Sequence, residues 1–399
     1  MSISTLPLSY CTNVHPGQTV AEVVDGINTY TAAAFHQFNR PTAAGLWLAR
    51  SVITELQEST ESMELLAQTL WQHDLNCYTL NTFPYGDFHS DRVKENVYLP
   101  DWTTTERTRY TLQCAQVLAQ LLPKSCEGSL STVPLGGRMN PSNDQFMDRC
   151  LMNVIEVARE LQALDETSGR RIRLAIEPEP LCHLSSIPGD VIPFFSQLYQ
   201  RADDEGCLEA VQGYIGVCLD VCHQAVEFED LHDSIDLLEQ AQIRINKLHI
   251  TNAVELISPA SNKAGRKALL AYVEPRYLHQ TYARFNDGHV ESRLDLTIDD
   301  IQRSPADDFL NADRWRVHFH VPIFAETLGD LTTTRPDLET ALQRVANLPY
   351  APHLEVETYT WPVMLDAQGS DTTNLSARIA GELEAATALI EATSAQLNQ

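Results

Sequence analysis

Eight short β-rich runs alternate with longer amphipathic stretches along this chain of 399 residues. Such alternation is typical of repeated βα units around a parallel sheet. The predicted strands are 6–11, 44–49, 76–82, 128–134, 172–177, 214–220, 244–251 and 352–357. The predicted helices are 18–38, 51–73, 104–122, 142–166, 190–205, 231–242, 336–347 and 377–396. Eight units predict a (β/α)8 TIM barrel, in which functional residues lie at the C-terminal ends of the strands.

The segment 252–351 is too long for an ordinary connection between the seventh and eighth strands. It contains a strand-like run of its own at 315–324. We therefore expect an insertion over the barrel mouth. No Gly/Ser linker or shift in composition divides the chain, so the sequence predicts a single domain over 1–399.

The charge balance narrows the choice of partner. The chain carries 54 acidic residues against 28 Lys and Arg, a formal net charge of −26. Nucleic-acid affinity depends on cations that neutralise phosphates, so we expect no nucleic-acid partner. The start of the chain has no signal-peptide pattern, no window has 18 uninterrupted apolar residues, and the nine cysteines are scattered. These features predict a soluble cytoplasmic protein with reduced thiols, and they leave its oligomeric state open.

Period two along the strands separates an aliphatic face from a polar face. In 215–220, for example, Val217 and Leu219 oppose Cys218 and Asp220. We expect the aliphatic residues to face the helices and the polar residues to face the barrel axis. Buried polar groups at successive strand ends are costly unless they find partners or a metal.

Four polar residues at strand ends form the predicted metal site. Three carboxylates and one imidazole are a mixed oxygen and nitrogen set that suits Mn²⁺, Zn²⁺, Co²⁺ or Fe²⁺. A purely hydrogen-bonded polar layer is the alternative. The four predicted ligands are Glu177, Asp220, His249 and Glu357.

Two further histidines are expected near the same mouth. His223 follows Asp220 by three residues, and it is predicted to contact the substrate or to bind a second metal. His318 and His320 share one face of the inserted run, and His320 is the better candidate for a metal ligand because it lies nearer the C-terminal end. A lone histidine is more often structural, so these roles depend on convergence with the strand ends.

The inward residues one layer deeper predict a floor beneath the site. A pair between Lys247 and Glu355 would compensate two buried charges, and Arg173 lies at a similar depth. Cys218 and Cys222, by contrast, are interpreted as packing residues.

Loops after the early strands supply candidate substrate contacts, with ordinary turn or cap roles as the alternative. A basic stretch in the insertion, EPRYLHQTYAR at 274–284, supplies cations for a substrate phosphate or carboxylate, although salt bridges within the chain explain it as well. The predicted substrate-binding residues are Asn13, His15, Asn81, Tyr85, His89, His223, Arg276, His279 and Arg284.

Four short motifs lie in order at successive strand ends: IEPEP (176–180), LDVCH (219–223), KLHIT (247–251) and VET (356–358). With them the chain resembles the xylose-isomerase-like TIM-barrel superfamily, which contains sugar and sugar-phosphate isomerases and epimerases as well as apurinic endonucleases. The resemblance implies that Glu177 and Glu357 exchange a proton with the substrate as base and acid.

Longer motifs point to a narrower group. The chain is similar to the EboE family, the barrel component of the ebo gene cluster, which is described as handling metabolite traffic. This resemblance implies a cytoplasmic barrel, a small-molecule metabolite and partner proteins from the same cluster. The motifs are YCTNVHPG (10–17), FPYGDFH (83–89), VYLPDW (97–102), EPRYLHQT (274–281), HFHVP (318–322) and EVETYTW (355–361).

The sequence therefore predicts a metal-dependent isomerase or epimerase for a small polyhydroxylated or carbonyl metabolite, with His223 and Arg276 orienting the substrate. One alternative is a metabolite carrier that keeps the metal site but has no turnover. A further alternative is a zinc-dependent phosphodiesterase of the apurinic-endonuclease type, which fits the Asp220/His223 and His318/His320 pairs but is opposed by the net charge of −26.

Overall fold

Parallel strands close into a barrel in the computed structural model, which describes residues 3–139, 145–302, 308–367 and 374–397. The strands of these residues are β1 (Leu8–Cys11), β2 (Thr42–Trp47), β3 (Thr79–Asn81), β4 (Gly128–Thr132), β5 (Ile172–Ile176), β6 (Ile215–Asp220), β7 (Ile245–Ile250), β8 (Ala253–Ile257), β9 (Thr281–Arg284), β10 (Val290–Arg293), β11 (Arg314–His320), β12 (Thr327–Leu328), β13 (Leu331–Thr333) and β14 (His353–Val356). The barrel order is β1-β14-β7-β6-β5-β4-β3-β2. The predicted (β/α)8 fold is therefore confirmed.

Helices cover the outside of the barrel and pack on its aliphatic residues. Leu174, Val217, Leu219 and Leu248 are fully buried in this layer. The helices are α1 (Val20–Gly26), α2 (Ala32–Phe38), α3 (Arg50–Glu58), α4 (Thr60–Gln72), α5 (Thr105–Leu121), α6 (Phe146–Ser168), α7 (Ile192–Asp204), α8 (Leu208–Tyr214), α9 (Val221–Val226), α10 (Leu231–Gln240), α11 (Lys263–Leu269), α12 (Ile298–Gln302), α13 (Arg335–Val345), α14 (Trp361–Ala367) and α15 (Leu375–Leu397).

Two predicted helices are interrupted in the structure. The predicted helix 51–73 is divided into α3 and α4, because Ser59 has an extended backbone and its side chain accepts a hydrogen bond from the Ser62 N–H, which caps α4. The predicted helix 18–38 contains a π-helical turn at Ile27–Thr31 between α1 and α2. Helix α6 begins at Phe146, and positions 142–144 of its predicted span lie outside the described residues.

The segment between β7 and β14 forms a sheet of its own. Its strand order is β10-β9-β11-β8-β13-β12, and all its pairings are antiparallel. The predicted insertion between the seventh and eighth barrel strands is confirmed, and its placement over the barrel mouth stays a prediction. The single predicted run at 315–324 corresponds to only one of these strands. Arg316 on β11 donates to the Ala225 carbonyl at 2.6 Å and pairs with Glu255 at 2.8 Å, which ties this sheet to the C-terminal end of α9.

A charged layer lies inside the barrel below its mouth. Lys247 Nζ lies 2.5 Å from Glu355 Oε2, and both side chains are fully buried, so the predicted pair is confirmed. Glu355 also accepts from the Ser9 hydroxyl at 3.0 Å. Arg173 lies instead at the lower rim. Its guanidinium donates to the Gly213 carbonyl and forms an ion pair with the Glu127 carboxylate, whose side chain is partly exposed.

Gly45 on β2 leaves the space that the Glu355 carboxylate occupies. A Cβ at this position would overlap that carboxylate and lie 2.8 Å from the Ser9 Oγ. We expect Gly45→Ala to lower the free energy of unfolding by about 1–3 kcal/mol, because the barrel interior cannot absorb an added carbon. Urea unfolding measures the change. Gly213→Ala is the matched control, since a Cβ there meets open space; equal stability of the two variants would contradict the close packing.

The described residues contain neither a disulfide bond nor a helix that could span a membrane. All nine cysteines are unpaired, and Cys218 and Cys222 are fully buried. Within the described ranges, no helix combines the length and the apolar character needed to cross a bilayer.

Candidate metal centre

The four predicted metal ligands meet at the barrel mouth. Glu177 follows β5, Asp220 ends β6, His249 lies on β7 and Glu357 follows β14. Each offers one ligand atom, and these atoms all lie within 4.8 Å of one another. All four side chains are buried. The strand-end positions bring them together because parallel strands present their C-terminal ends to the same side.

His249 is surrounded by acidic groups. Its Nδ1 lies 3.1 Å from Glu177 Oε1, 3.3 Å from Asp220 Oδ2 and 3.0 Å from Glu357 Oε2. Its Nε2 lies 3.1 Å from Glu355 Oε2 in the layer below. Burial lowers the pKa of His249, but nearby acidic groups outweigh burial and raise the pKa well above its ordinary value. The site therefore has an excess of negative charge and favours a cation.

Two carboxylate oxygens at the centre have no hydrogen-bond partner among the described residues. They are Glu177 Oε2 and Asp220 Oδ2, and both are buried. The contact of Asp220 Oδ2 with His249 Nδ1, at 3.3 Å, is an ion-pair contact. The other oxygen of Asp220 accepts from Thr251 Oγ1 at 2.6 Å and from the His223 N–H at 3.2 Å, so Oδ2 is left facing the site. Outer contacts of this kind orient metal ligands. Unpaired buried carboxylate oxygens are costly, and a divalent cation satisfies them.

Glu357 is held by two amides from the early strands. Asn13 Nδ2 and Asn81 Nδ2 donate to Glu357 Oε1 at 2.7 and 2.8 Å, while Oε2 faces His249. Burial raises the pKa of Glu357, but the His249 imidazole outweighs burial and lowers that pKa to about 2. Asn13 and Asn81 therefore orient a predicted metal ligand and, through their position, also line the pocket.

Three histidines lie beside the four ligands. The ring centroids of His223 and His318 are 4.6 Å apart, and His320 lies 5.8 Å from His223. His320 Nε2 is 3.9 Å from Asp220 Oδ2, and Asp220, His223 and His320 form a second group that could hold an ion. His320 thus lies at the edge of the centre, beside its predicted co-ligands, and His223 lines the pocket.

Several predicted substrate contacts lie outside the pocket lining, where local partners hold them. His15 bonds Thr31 at 3.1 Å, and His89 Nε2 bonds the Asn13 carbonyl at 2.9 Å. Tyr85 packs edge-on against Tyr110. Their roles in substrate binding stay predictions.

The basic stretch of the insertion is also engaged locally. His279 is buried between Glu274 and Asp295, at 3.3 and 3.4 Å. The Arg276 guanidinium lies over the Tyr277 ring, 6.0 Å from its centroid, and the Arg284 guanidinium lies 4.7 Å from the Phe228 centroid. None of the three basic side chains lines the pocket, so their predicted role as anion ligands stays a prediction.

A cavity with about 540 Å³ of space, including its open mouth, is lined by two of the four predicted ligands, Glu177 and Glu357. Glu179 lies on the same face of the chain as Glu177, a period-two relation visible in the sequence; burial raises its pKa to about 7. Several other lining residues lie in motifs already named, such as FPYGDFH and EPRYLHQT, although they are not among the residues assigned to the pocket from the sequence. Lining residues not among the predicted contacts include Phe83, Phe88, Lys94, Val97, Tyr98, Glu179, Tyr277, His318 and Tyr359.

Comparison with known proteins gives a likeness in fold. No family model matches the chain, and no curated protein matches it in sequence. Solved structures similar to it include a D-tagatose 3-epimerase-like protein (11% identity, TM-score 0.46, covering 94% of this chain and 99% of that one). A second is a D-psicose 3-epimerase in the presence of D-fructose (10% identity, TM-score 0.49, covering 96% of this chain and 99% of that one). A third is the IOLI protein with a binding zinc atom (12% identity, TM-score 0.48, covering 97% of this chain and 99% of that one). Membership of the EboE family stays a prediction.

Proposed function

We propose that the protein holds a divalent metal ion at Glu177, Asp220, His249 and Glu357 and acts as an isomerase or epimerase on a small hydroxycarbonyl metabolite. The observation that carries this proposal is the convergence of the four ligand atoms, with Glu177 Oε2 and Asp220 Oδ2 buried and without a hydrogen-bond partner among the described residues. When bound, such an ion polarises a carbonyl and the neighbouring hydroxyl.

Glu177 and Glu357 are the proposed proton carriers. Strands β6 and β7 separate β5 from β14 in the barrel, so the two carboxylates approach the centre from different sides. A proton removed from one face of a substrate carbon by one carboxylate can thus be returned by the other, which is the requirement for epimerisation. Asn13 and Asn81 fix Glu357 by two hydrogen bonds to Oε1, and Oε2 is turned toward the centre, 3.0 Å from His249 Nδ1.

The surroundings keep the reacting groups in place. The Glu355 carboxylate bonds His249 Nε2, and Lys247 neutralises that carboxylate, so the imidazole is held from below. Phe88, Tyr277 and Tyr359 line the same cavity as Glu177 and Glu357 and give it an apolar side. From the resemblance to the EboE family, we further propose that the metabolite is a secondary-metabolite precursor and that other ebo-cluster proteins are partners.

The histidine cluster favours a second candidate function. His318 Nε2 and His320 Nε2 are buried without partners beside Asp220, an arrangement that could hold additional zinc ions for phosphodiester hydrolysis. Lys94, the one Lys or Arg side chain among the described lining residues, is already paired with Asp295 at 2.5 Å and is not free to bind a phosphate. Isomerisation is the better supported function.

Metal analysis of the purified protein tests the centre. We expect about one divalent ion per chain in the wild type and loss of most of it in Asp220→Asn, because a neutral amide replaces a carboxylate ligand. Asp233→Asn, at a carboxylate with 81% of its side chain exposed, is the matched control. Unchanged metal content in Asp220→Asn would contradict the site, and two or three zinc ions per chain would favour the phosphodiesterase.

A further inference from the structure

Three aromatic rings form one side of the pocket, and we name Phe88, Tyr277 and Tyr359 the aromatic wall. The centroids of Phe88 and Tyr277 are 5.0 Å apart, those of Phe88 and Tyr359 are 5.4 Å apart, and those of Tyr277 and Tyr359 are 5.0 Å apart. Tyr359 also lies 4.8 Å from the His320 ring. The wall therefore extends outward from the edge of the metal centre.

The wall has few hydrogen bonds to offer a ligand. The Tyr277 hydroxyl donates to the Phe88 carbonyl at 3.3 Å, and the neighbouring Tyr98 hydroxyl donates to Glu179 at 2.7 Å. Tyr359 is the one wall residue whose hydroxyl has no partner among the described residues. A sugar that buried four or five hydroxyls here would lose most of its hydrogen bonds to water, which is unfavourable.

The pocket also lacks a free Lys or Arg side chain in its described part. Lys94 Nζ lies 3.0 Å from the Tyr277 carbonyl oxygen and 2.5 Å from Asp295 Oδ2. Phosphate and carboxylate groups require charge-assisted hydrogen bonds when they are buried. The lining therefore favours a neutral ligand.

The floor of the pocket, by contrast, presents polar side-chain atoms. His318 Nδ1 bonds Gln280 Oε1 at 2.8 Å, and His320 Nδ1 bonds the Glu357 carbonyl oxygen at 2.7 Å. Both partners are acceptors, so each Nδ1 donates and each Nε2 points away from these partners. Within the described residues, these two Nε2 atoms and Asn13 Oδ1 are buried without hydrogen-bond partners. They offer polar contacts at the floor to the hydroxyl and carbonyl end of a ligand.

We propose that the ligand is a neutral hydroxycarbonyl compound that carries an aromatic ring, with its hydroxyl and carbonyl oxygens at the floor and its ring against the aromatic wall. The assignment of the polar end rests on the proposed function. The assignment of the ring rests on the wall alone, because offset and edge-on ring contacts stabilise an aromatic ligand there.

Calorimetric titration of the metal-loaded protein tests the ring. The probe is 1-hydroxy-1-phenylpropan-2-one, and 3-hydroxybutan-2-one is its matched control, in which a methyl replaces the phenyl. We expect the phenyl compound to bind at least about tenfold more tightly, because burial of the ring against the wall adds apolar contact. D-Fructose and dihydroxyacetone phosphate should bind more weakly than the phenyl compound. Equal or tighter binding of any of these three compounds would overturn the proposal.

Two variants locate the ring. Val97 lines the pocket on the turn Lys94–Tyr98 and is half-buried, so Val97→Trp has room to fold and fills the space beside the wall. We expect it to weaken binding of the phenyl compound about tenfold or more, and that of 3-hydroxybutan-2-one by less. Phe88→Leu should act in the same direction, while Phe324→Leu, at an exposed ring, should change neither. Unchanged selectivity in Val97→Trp would refute the placement.

The outcomes separate this inference from the proposed function. Solvent-hydrogen exchange into 3-hydroxybutan-2-one with no preference for the phenyl compound would sink the inference and leave the isomerase intact. Binding of the phenyl compound that depends on Val97 and Phe88, without exchange into any hydroxycarbonyl compound, would support the inference and count against turnover.

Discussion

The Glu357→Gln variant should lose turnover by a factor on the order of 10³, because the amide can no longer accept a proton. The variant should stay folded. Glutamine keeps the shape of the side chain, and its carbonyl oxygen can still accept from Asn13 and Asn81 as Glu357 Oε1 does. Its amide, however, replaces the oxygen that lies 3.0 Å from His249 Nδ1. Incorporation of deuterium from D₂O into a hydroxycarbonyl substrate, followed by mass spectrometry, measures the loss.

Glu339→Gln is the matched control for this change. Its side chain is 47% exposed, pairs with Arg335 at 3.2 Å and is not among the residues that line the pocket. We expect it to retain full exchange activity, and thermal unfolding should show both variants to be folded. Undiminished exchange in Glu357→Gln would remove this residue from the reaction. A wild-type protein that binds its metabolite and returns it without exchange would be a carrier.

The part of the site that the sequence predicts is the part that strand periodicity controls. Asp220 and His249 sit on buried parallel strands, so alternation fixes the face on which they lie and strand order fixes the end at which they meet. The same rule locates the Lys247–Glu355 pair one layer below. These relations depend on the alternation of side chains along a strand and on the order of strands in the barrel. Both can be predicted from a single sequence.

The pocket wall depends on contacts that no local pattern encodes. Tyr277 donates to the Phe88 carbonyl across 189 positions of sequence. Phe88 lies in the loop after β3, and Tyr277 lies in the insertion between β7 and β14. Strand β10 (Val290–Arg293) is largely exposed and lacks an apolar alternation, so nothing in its sequence marks it as a strand. The basic stretch near His279 looks available for anions until Asp295 is placed beside it. Tertiary pairing decides such cases.

Loss of one partner of the buried ion pair should be the largest stability effect. Lys247 and Glu355 are fully buried and 2.5 Å apart. Burial lowers the pKa of Lys247, but the Glu355 carboxylate outweighs burial and raises that pKa. We expect Lys247→Met to lower the free energy of unfolding by about 3–5 kcal/mol, because it leaves the Glu355 charge buried with only Ser9 and His249 as partners. Urea unfolding monitored by circular dichroism measures it.

A double variant separates a lost pair from lost packing. In Lys247→Met/Glu355→Gln the uncompensated charge is gone, so the double variant should be more stable than Lys247→Met alone, by about 1–3 kcal/mol. Lys263→Met, at an exposed position on α11, is the control for the substitution itself and should leave the stability nearly unchanged. If the destabilisation of the double variant equalled the sum of those of Lys247→Met and Glu355→Gln, the pair would not be the source of the stability. The buried charge on Glu355 would then have to be neutralised by another group.

The metal content of Lys247→Met is a second readout. The Glu355 carboxylate orients the His249 imidazole from below, so a displaced Glu355 should lower metal binding together with stability.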